Sequence, residues 1–127
     1  MKYLTLKQKQ DLVEIADSYP NLQCVQCALA IKNYLQLARI PGKLIKINTQ
    51  ADLDYRNCFL YDDSIGGDAI SETGYHEGII VIIDGMEIVF DNHHPQGIAK
   101  VEWLGNFQFF GKIHLGQELI VTEENFQ

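Results

Sequence analysis

Basic residues are scarce in this sequence. Ten Lys and Arg stand against 17 Asp and Glu, a formal charge of −7 over 127 residues. Such an excess repels phosphate backbones and anionic lipid, which argues against a nucleic-acid or membrane-surface role and for a protein or small-molecule partner. Cysteine is scarce too. Cys24, Cys27 and Cys58 are an odd set of three, which suits reduced thiols in a cytoplasm better than the disulfide frame of a secreted domain. No stretch is apolar for the length of a membrane span. The lysine-bearing start MKYLTLKQKQ is followed by neither an apolar run nor a small-residue cleavage site, so no signal peptide is expected. Internal repeats, low-complexity tracts and Pro/Ser-rich linkers are also lacking. The expectation is one domain over residues 1–127, cytoplasmic as encoded, large enough to fold around its own core without a cofactor, structural metal or disulfide.

What is present is an order of periodicities. Thr5 followed by LKQKQDLVEIADSY reads as an N-capped helix that ends at the Ser18–Asn21 turn. A second helix is expected from about Gln23 to Ala38, with Ala28, Ile31, Leu35 and Ala38 on one face, stopped by Ile40-Pro41-Gly42. The period then changes to two. Lys43 to Asn48 is a strand candidate, the polar, Gly-bearing segment from Ala51 to Gly74 reads as a long loop with a short helix or edge strand, and His76 to Asn92 reads as two strands about an Asp84-Gly85 turn. FQFFGKIHL and QELIVTE have the look of further antiparallel strands. The fold class is α+β, with N-terminal helices packed on an antiparallel sheet.

The hairpin brings chemistry together. A two-residue turn at Asp84-Gly85 sets Asp91 opposite Gly78, so His76 and Asp91 share a face as diagonal neighbours, about 7–8 Å apart at the backbone. Gly78 leaves room between them. A carboxylate bonded to one ring nitrogen fixes the tautomer and orientation of a histidine and supports its charge when it takes a proton. Cys24 supplies a candidate nucleophile, since it opens the second helix where unpaired N–H groups and the helix dipole favour a thiolate and an oxyanion. Cys27, one turn further, falls in the apolar stripe and reads as a packed core thiol.

Other uses of the cysteines are weaker. A redox Cys-x-x-Cys normally follows a strand, whereas this pair follows a helix and a Tyr-Pro turn. A zinc site assembled from Cys58, His93 and His94 lacks a second close-spaced cysteine pair, so no metal is expected. Two inert core cysteines remain the bland alternative. Trp103 either shields the histidine–carboxylate bond from water or fills core, and Asn92, His93 and His94 either contact substrate or form a turn before Pro95. Glu77 points away from His76, and Tyr61 to Asp68 reads either as a mobile loop over the cleft or as a plain surface loop.

These residues resemble the papain-like and transglutaminase-like cysteine enzymes, and most closely the papain-fold toxin domains of bacterial polymorphic toxin systems. In transglutaminase-like cores the nucleophile opens a helix, a small residue follows four positions on, and an Ile-Pro pair stands past the helix end, as Cys24, Ala28 and Ile40-Pro41 do here. The family histidine starts a strand and its acid ends the next, as His76 and Asp91 do. The resemblance spans about Gln23 to Trp103. It implies a papain-like fold, a Cys24-His76-Asp91 triad, and a peptidase or deamidase acting on a protein target, with a neutralising immunity protein as a possible partner. Gln23, Asn92 and Trp103 are the candidate oxyanion or substrate-binding side chains. A transglutaminase-like acyl transferase and a non-catalytic binding module on the same fold are the alternatives.

Overall fold

The computed structural model describes residues 4–127, so the first three residues of the expected domain lie outside the described residues. Helix α1 (Leu6–Asp17) starts at Thr5, whose hydroxyl accepts from the Gln8 N–H at 3.0 Å while the Gln8 side chain accepts from the Thr5 N–H at 2.9 Å. That reciprocal cap satisfies two donors a helix start otherwise leaves open. Helix α2 (Cys24–Leu37) has Gln23 and Ala38 as its caps. Arg39, at φ +60°, then turns the chain so that the Ile40 N–H bonds the Leu35 carbonyl.

Strand β1 (Gly42–Asn48) leads, through a single 3-10 turn at Tyr55–Asn57 and the two-residue strand β2 (Tyr61–Asp62), to β3 (Tyr75–Ile83) and β4 (Met86–Asp91). Asp84 and Gly85 both take positive φ, +52° and +79°, as the twist-matched two-residue hairpin turn requires. The β3–β4 ladder runs in the expected register from Ile83 opposite Met86 to Ile79 opposite Phe90. Then come β5 (His94–Ala99), α3 (Lys100–Gly105), β6 (Phe107–Gln108), α4 (Phe110–Leu115) and β7 (Ile120–Phe126). The main sheet is antiparallel in the order β5-β4-β3-β1-β7, and β2 pairs with β6 apart from it. This is the expected α+β arrangement of N-terminal helices on an antiparallel sheet.

The centre of the sheet is covered on both faces, so β3 is buried without alternation from His76 to Val81, while Ile82 near the turn is exposed. On one face Leu12, Ala16, Cys27, Ile31 and Leu35 of the helices meet Ile79, Val81 and Phe90. On the other, Ile45, Ile47, Ile80 and Val89 meet Leu60, Ile70, Trp103, Phe107 and Phe109. Each fully buried Ile or Leu here contributes roughly 1.5–3 kcal/mol of transfer free energy.

One expectation needs correction. FQFFGKIHL is not one strand: pairing stops after Gln108, and Phe110–Leu115 is a helix closed by Gly116 at φ +66°. Phe107 and Phe109 alternate into the second core and imitate a strand, but beyond them the Gly111 N–H bonds the Asn57 side chain rather than a neighbouring strand, so the ladder does not continue. The segment from Tyr61 to Asp68 lies on the surface except at Asp62, which is buried.

Candidate active site

The turn before α2 sets the first residue of the site. The Gln23 N–H closes a turn onto the Pro20 carbonyl at 3.2 Å, and Leu22 takes φ +73° in its third position, a place that normally calls for glycine. A branched residue held there costs on the order of 1 kcal/mol. The result is that Cys24 becomes the first residue of α2, where backbone N–H groups have no acceptor within the helix. Cys24 is 7% exposed; Cys27, one turn on, is fully buried among the core side chains, and burial, then the charges of Asp91 and Cys24, push its thiol up to about 12.

β3 and β4 set the other half. His76 and Asp91 are both buried, and His76 Nε2 donates to Asp91 Oδ2 at 2.9 Å. The same oxygen accepts from Trp103 Nε1 at 2.8 Å. Asp91 Oδ1 accepts from the backbone N–H groups of His93, at 2.9 Å, and His94, at 2.7 Å. Four donors therefore converge on one carboxylate. Burial alone would raise its pKa, but the His76 hydrogen bond and charge, with help from His94 and Trp103, hold it well below the usual carboxylate range. Burial likewise opposes charge on His76, and the hydrogen bond to Asp91 together with the interaction with Cys24 overcomes it, raising the pKa to about 9. Although the Cys24 thiol acts on the ring, His76 Nδ1 has no hydrogen-bond partner of good geometry among the described residues. Nδ1 is thus the ring atom left for the sulfur and for a substrate proton.

Trp103 packs beside the histidine–carboxylate pair. It is fully buried core, packed edge-on against Phe107 with ring centres 4.7 Å apart, and its ring centre lies 5.9 Å from that of His76 while its N–H holds Asp91. Gly78 lies against this assembly, since a Cβ there would come 2.8 Å from Val89 Cγ1 and 3.4 Å from Trp103 Cζ2.

Asn92 and His93 form the turn into β5 and reach across to the loop that precedes Cys24. Asn92 Nδ2 donates to the Pro20 carbonyl at 2.9 Å, and His93 Nε2 donates to Asn21 Oδ1 at 2.9 Å. The turn that closes on Asp91 thereby fastens the cysteine-bearing loop to the histidine-bearing sheet. The next residue adds a second buried pair, unforeseen from sequence: His94 Nε2 donates to Asp62 Oδ2 at 2.8 Å. Burial disfavours charge on both, but their hydrogen bond prevails, so His94 is raised and Asp62 lowered from their ordinary values. The adjoining Asp62 and Asp63 gave no sequence signal of which one would be inside. Gln23 caps α2 without a side-chain hydrogen bond to the helix and is half-buried. No group of three or more His, Cys, Asp and Glu with a metal-holding arrangement occurs among the described residues.

A family model described as papain fold toxin 2 matches residues 7–108. The chain belongs to the papain fold toxin 2 family. The matched span contains Cys24, His76, Asp91 and Trp103. No curated protein and no solved structure matched the chain. The papain-like fold and the toxin class thus stand on the family itself, and no helix of the described residues is long and apolar enough to cross a membrane.

Proposed function

We propose that this papain fold toxin is a cysteine hydrolase that cleaves or deamidates amide groups of a protein inside a target cell. The observation that carries the reading is the buried His76 with Nε2 bonded to Asp91 and Nδ1 facing no other acceptor, beside a cysteine at a helix start. His76 Nδ1 takes the Cys24 proton, a transfer favoured by the raised pKa of the imidazole. Cys24 Sγ attacks the substrate carbonyl carbon, and the oxyanion takes hydrogen bonds from N–H groups of the first turn of α2. The Gln23 side chain, unbonded to the helix it caps, is free to add a donor there. His76 then gives its Nδ1 proton to the departing nitrogen, which leaves as a peptide amine or as ammonia, and a thioester remains on Cys24. Water adds to the thioester carbonyl as His76 Nδ1 accepts a proton, and collapse releases the carboxylic acid and the thiolate. Asp91 holds the ring in the tautomer both steps need, and Trp103 keeps Asp91 aimed and dry. A neutralising partner made by the producing cell fits such a toxin.

Growth and thiol labelling test the reading together. Expression of the wild type in a bacterium slows growth and Cys24→Ala does not, while the purified wild type alkylates with iodoacetamide at Cys24 at about pH 6, where an ordinary thiol hardly reacts. Equal harmlessness of both proteins with intact low-pH labelling would remove the toxic target and keep the enzyme. Labelling no faster than that of Cys58 would remove the enzyme.

A further inference from the structure

A cavity of about 400 Å³ opens beside the candidate active site, walled by Asn21 and Leu22 from the loop before Cys24 and by Phe59, Tyr61, Asp68 and Glu72 from the segment between β1 and β3. Its connection to the site is direct. Asn21 Oδ1 accepts from His93, whose ring centre lies 6.3 Å from that of His76, and Asn21 Nδ2 donates to the Ala69 carbonyl on the far wall at 2.9 Å. The far wall is held in turn from the same side of the molecule, because Asp62 is bonded to His94 and His94 to Asp91. Leu22 on its near wall stands two positions before Cys24 in the chain, so the opening lies next to the cysteine-bearing turn.

The walls state what fits. Asp68 and Glu72 take part in no ion pair or hydrogen bond among the described residues, in contrast to Asp54, Asp62, Glu87 and Glu123, which are paired. No Lys, Arg or His lines the cavity to neutralise them. Phe59, Tyr61 and Leu22 are each about half exposed, so apolar and aromatic surface meets unpaired negative charge in one concave place. A long aliphatic stem ending in a cation satisfies both at once, with the stem on the rings and the charge between the carboxylates. An acidic side chain or a phosphate is repelled, and the volume is within the range of ligand cavities, ample for one long side chain.

We propose that this cavity is the subsite that receives a lysine or arginine side chain of the protein substrate, next to the amide that Cys24 attacks. The inference rests on the cysteine-enzyme reading above and adds its specificity. Peptidyl acyloxymethyl ketones test it, in which Sγ bonds to the methylene carbon as the carboxylate leaves. A set carrying Lys, Arg, norleucine or Glu at each of the two residues nearest the ketone is used on the full-length protein, each rate divided by that protein's own iodoacetamide rate. Lys and Arg are expected to label Cys24 roughly tenfold faster than norleucine at low salt, with Glu slowest. High salt and the Asp68→Asn/Glu72→Gln double variant should both bring the ratio close to one. Asp68→Lys should reverse the order of Lys and Glu. Norleucine or Glu equalling Lys in the wild type, or a Lys preference that survives the double variant, overturns the subsite. Failure of every ketone and of iodoacetamide to label Cys24 overturns the cysteine-enzyme reading instead.

Discussion

Replacing Asp91 by Asn tests the core of the mechanism with a change of one atom. The carboxylate accepts from His76 and Trp103 on Oδ2 and from the His93 and His94 N–H groups on Oδ1, so every contact needs an acceptor. Asparagine has one acceptor oxygen, and whichever way it lies its NH2 meets two donors. The backbone donors of the turn cannot move, so the oxygen stays with them and the NH2 points to His76 and Trp103. His76 then adopts the neutral tautomer with Nε2 as acceptor and its proton on Nδ1, which can no longer accept the Cys24 proton, and the Trp103 N–H is left unpaired in the core. An orphaned buried donor costs about 1–3 kcal/mol. Loss of the imidazolium stabilisation, from an ordinary value near 6.5 to about 9, costs on the order of 3 kcal/mol at pH values below both. The shifts of Asp91 and His76 describe one shared interaction and are counted once. The expected loss is therefore roughly 4–6 kcal/mol of stability, by urea titration at about pH 6, with turnover down about 10³–10⁴-fold from the wrong tautomer. Iodoacetamide labelling of Cys24 at about pH 6 should fall with it, to the rate of an ordinary thiol. An Asp91→Asn protein with unchanged stability and unchanged low-pH labelling would refute the argument.

Other outcomes follow from the same geometry. The His76–Asp91 contribution to stability is complete between about pH 4 and about 6.5; it is lost below as Asp91 protonates and lost above as pH climbs from about 6.5 through about 9 and His76 deprotonates, so the stability gap between wild type and Asp91→Asn, measured by urea titration across pH, should peak in that window. Cys27→Ala should keep activity and lose about 1 kcal/mol to the small cavity left by its buried thiol, whereas loss of activity with an intact fold would move the nucleophile from Cys24 to Cys27. Gly78→Ala places a methyl 2.8 Å from Val89 Cγ1 and against Trp103, and should cost about 1–3 kcal/mol and slow Cys24 labelling by disturbing the Trp103–Asp91 bond; a melting temperature equal to wild type would show the sheet absorbs the methyl.

Much of the site was legible before folding was considered. The Asp84-Gly85 dipeptide demands two left-handed residues and so a two-residue hairpin, and a side-chain period of two then forces His76 and Asp91 onto one face. Thr5 marks a helix start because its hydroxyl accepts from an open N–H of the first turn, and Cys24 stands at the start of α2 because the apolar helical period begins there. All of these are local rules, written within a few residues. What lay beyond them needed contacts between segments far apart in the chain. That the Cys24 thiol acts on His76, far along the chain, is decided by α2 lying on β3 in a shared core, not by any spacing of the two residues. Whether Asp62 or Asp63 turns inward depended on His94 waiting on β5, and the alternating phenylalanines stop pairing where the Gly111 N–H finds the distant Asn57 side chain instead of a strand. Hydrogen-bond satisfaction of a buried group is a property of the assembled interior, and no periodicity along the chain encodes which distant partner will supply it.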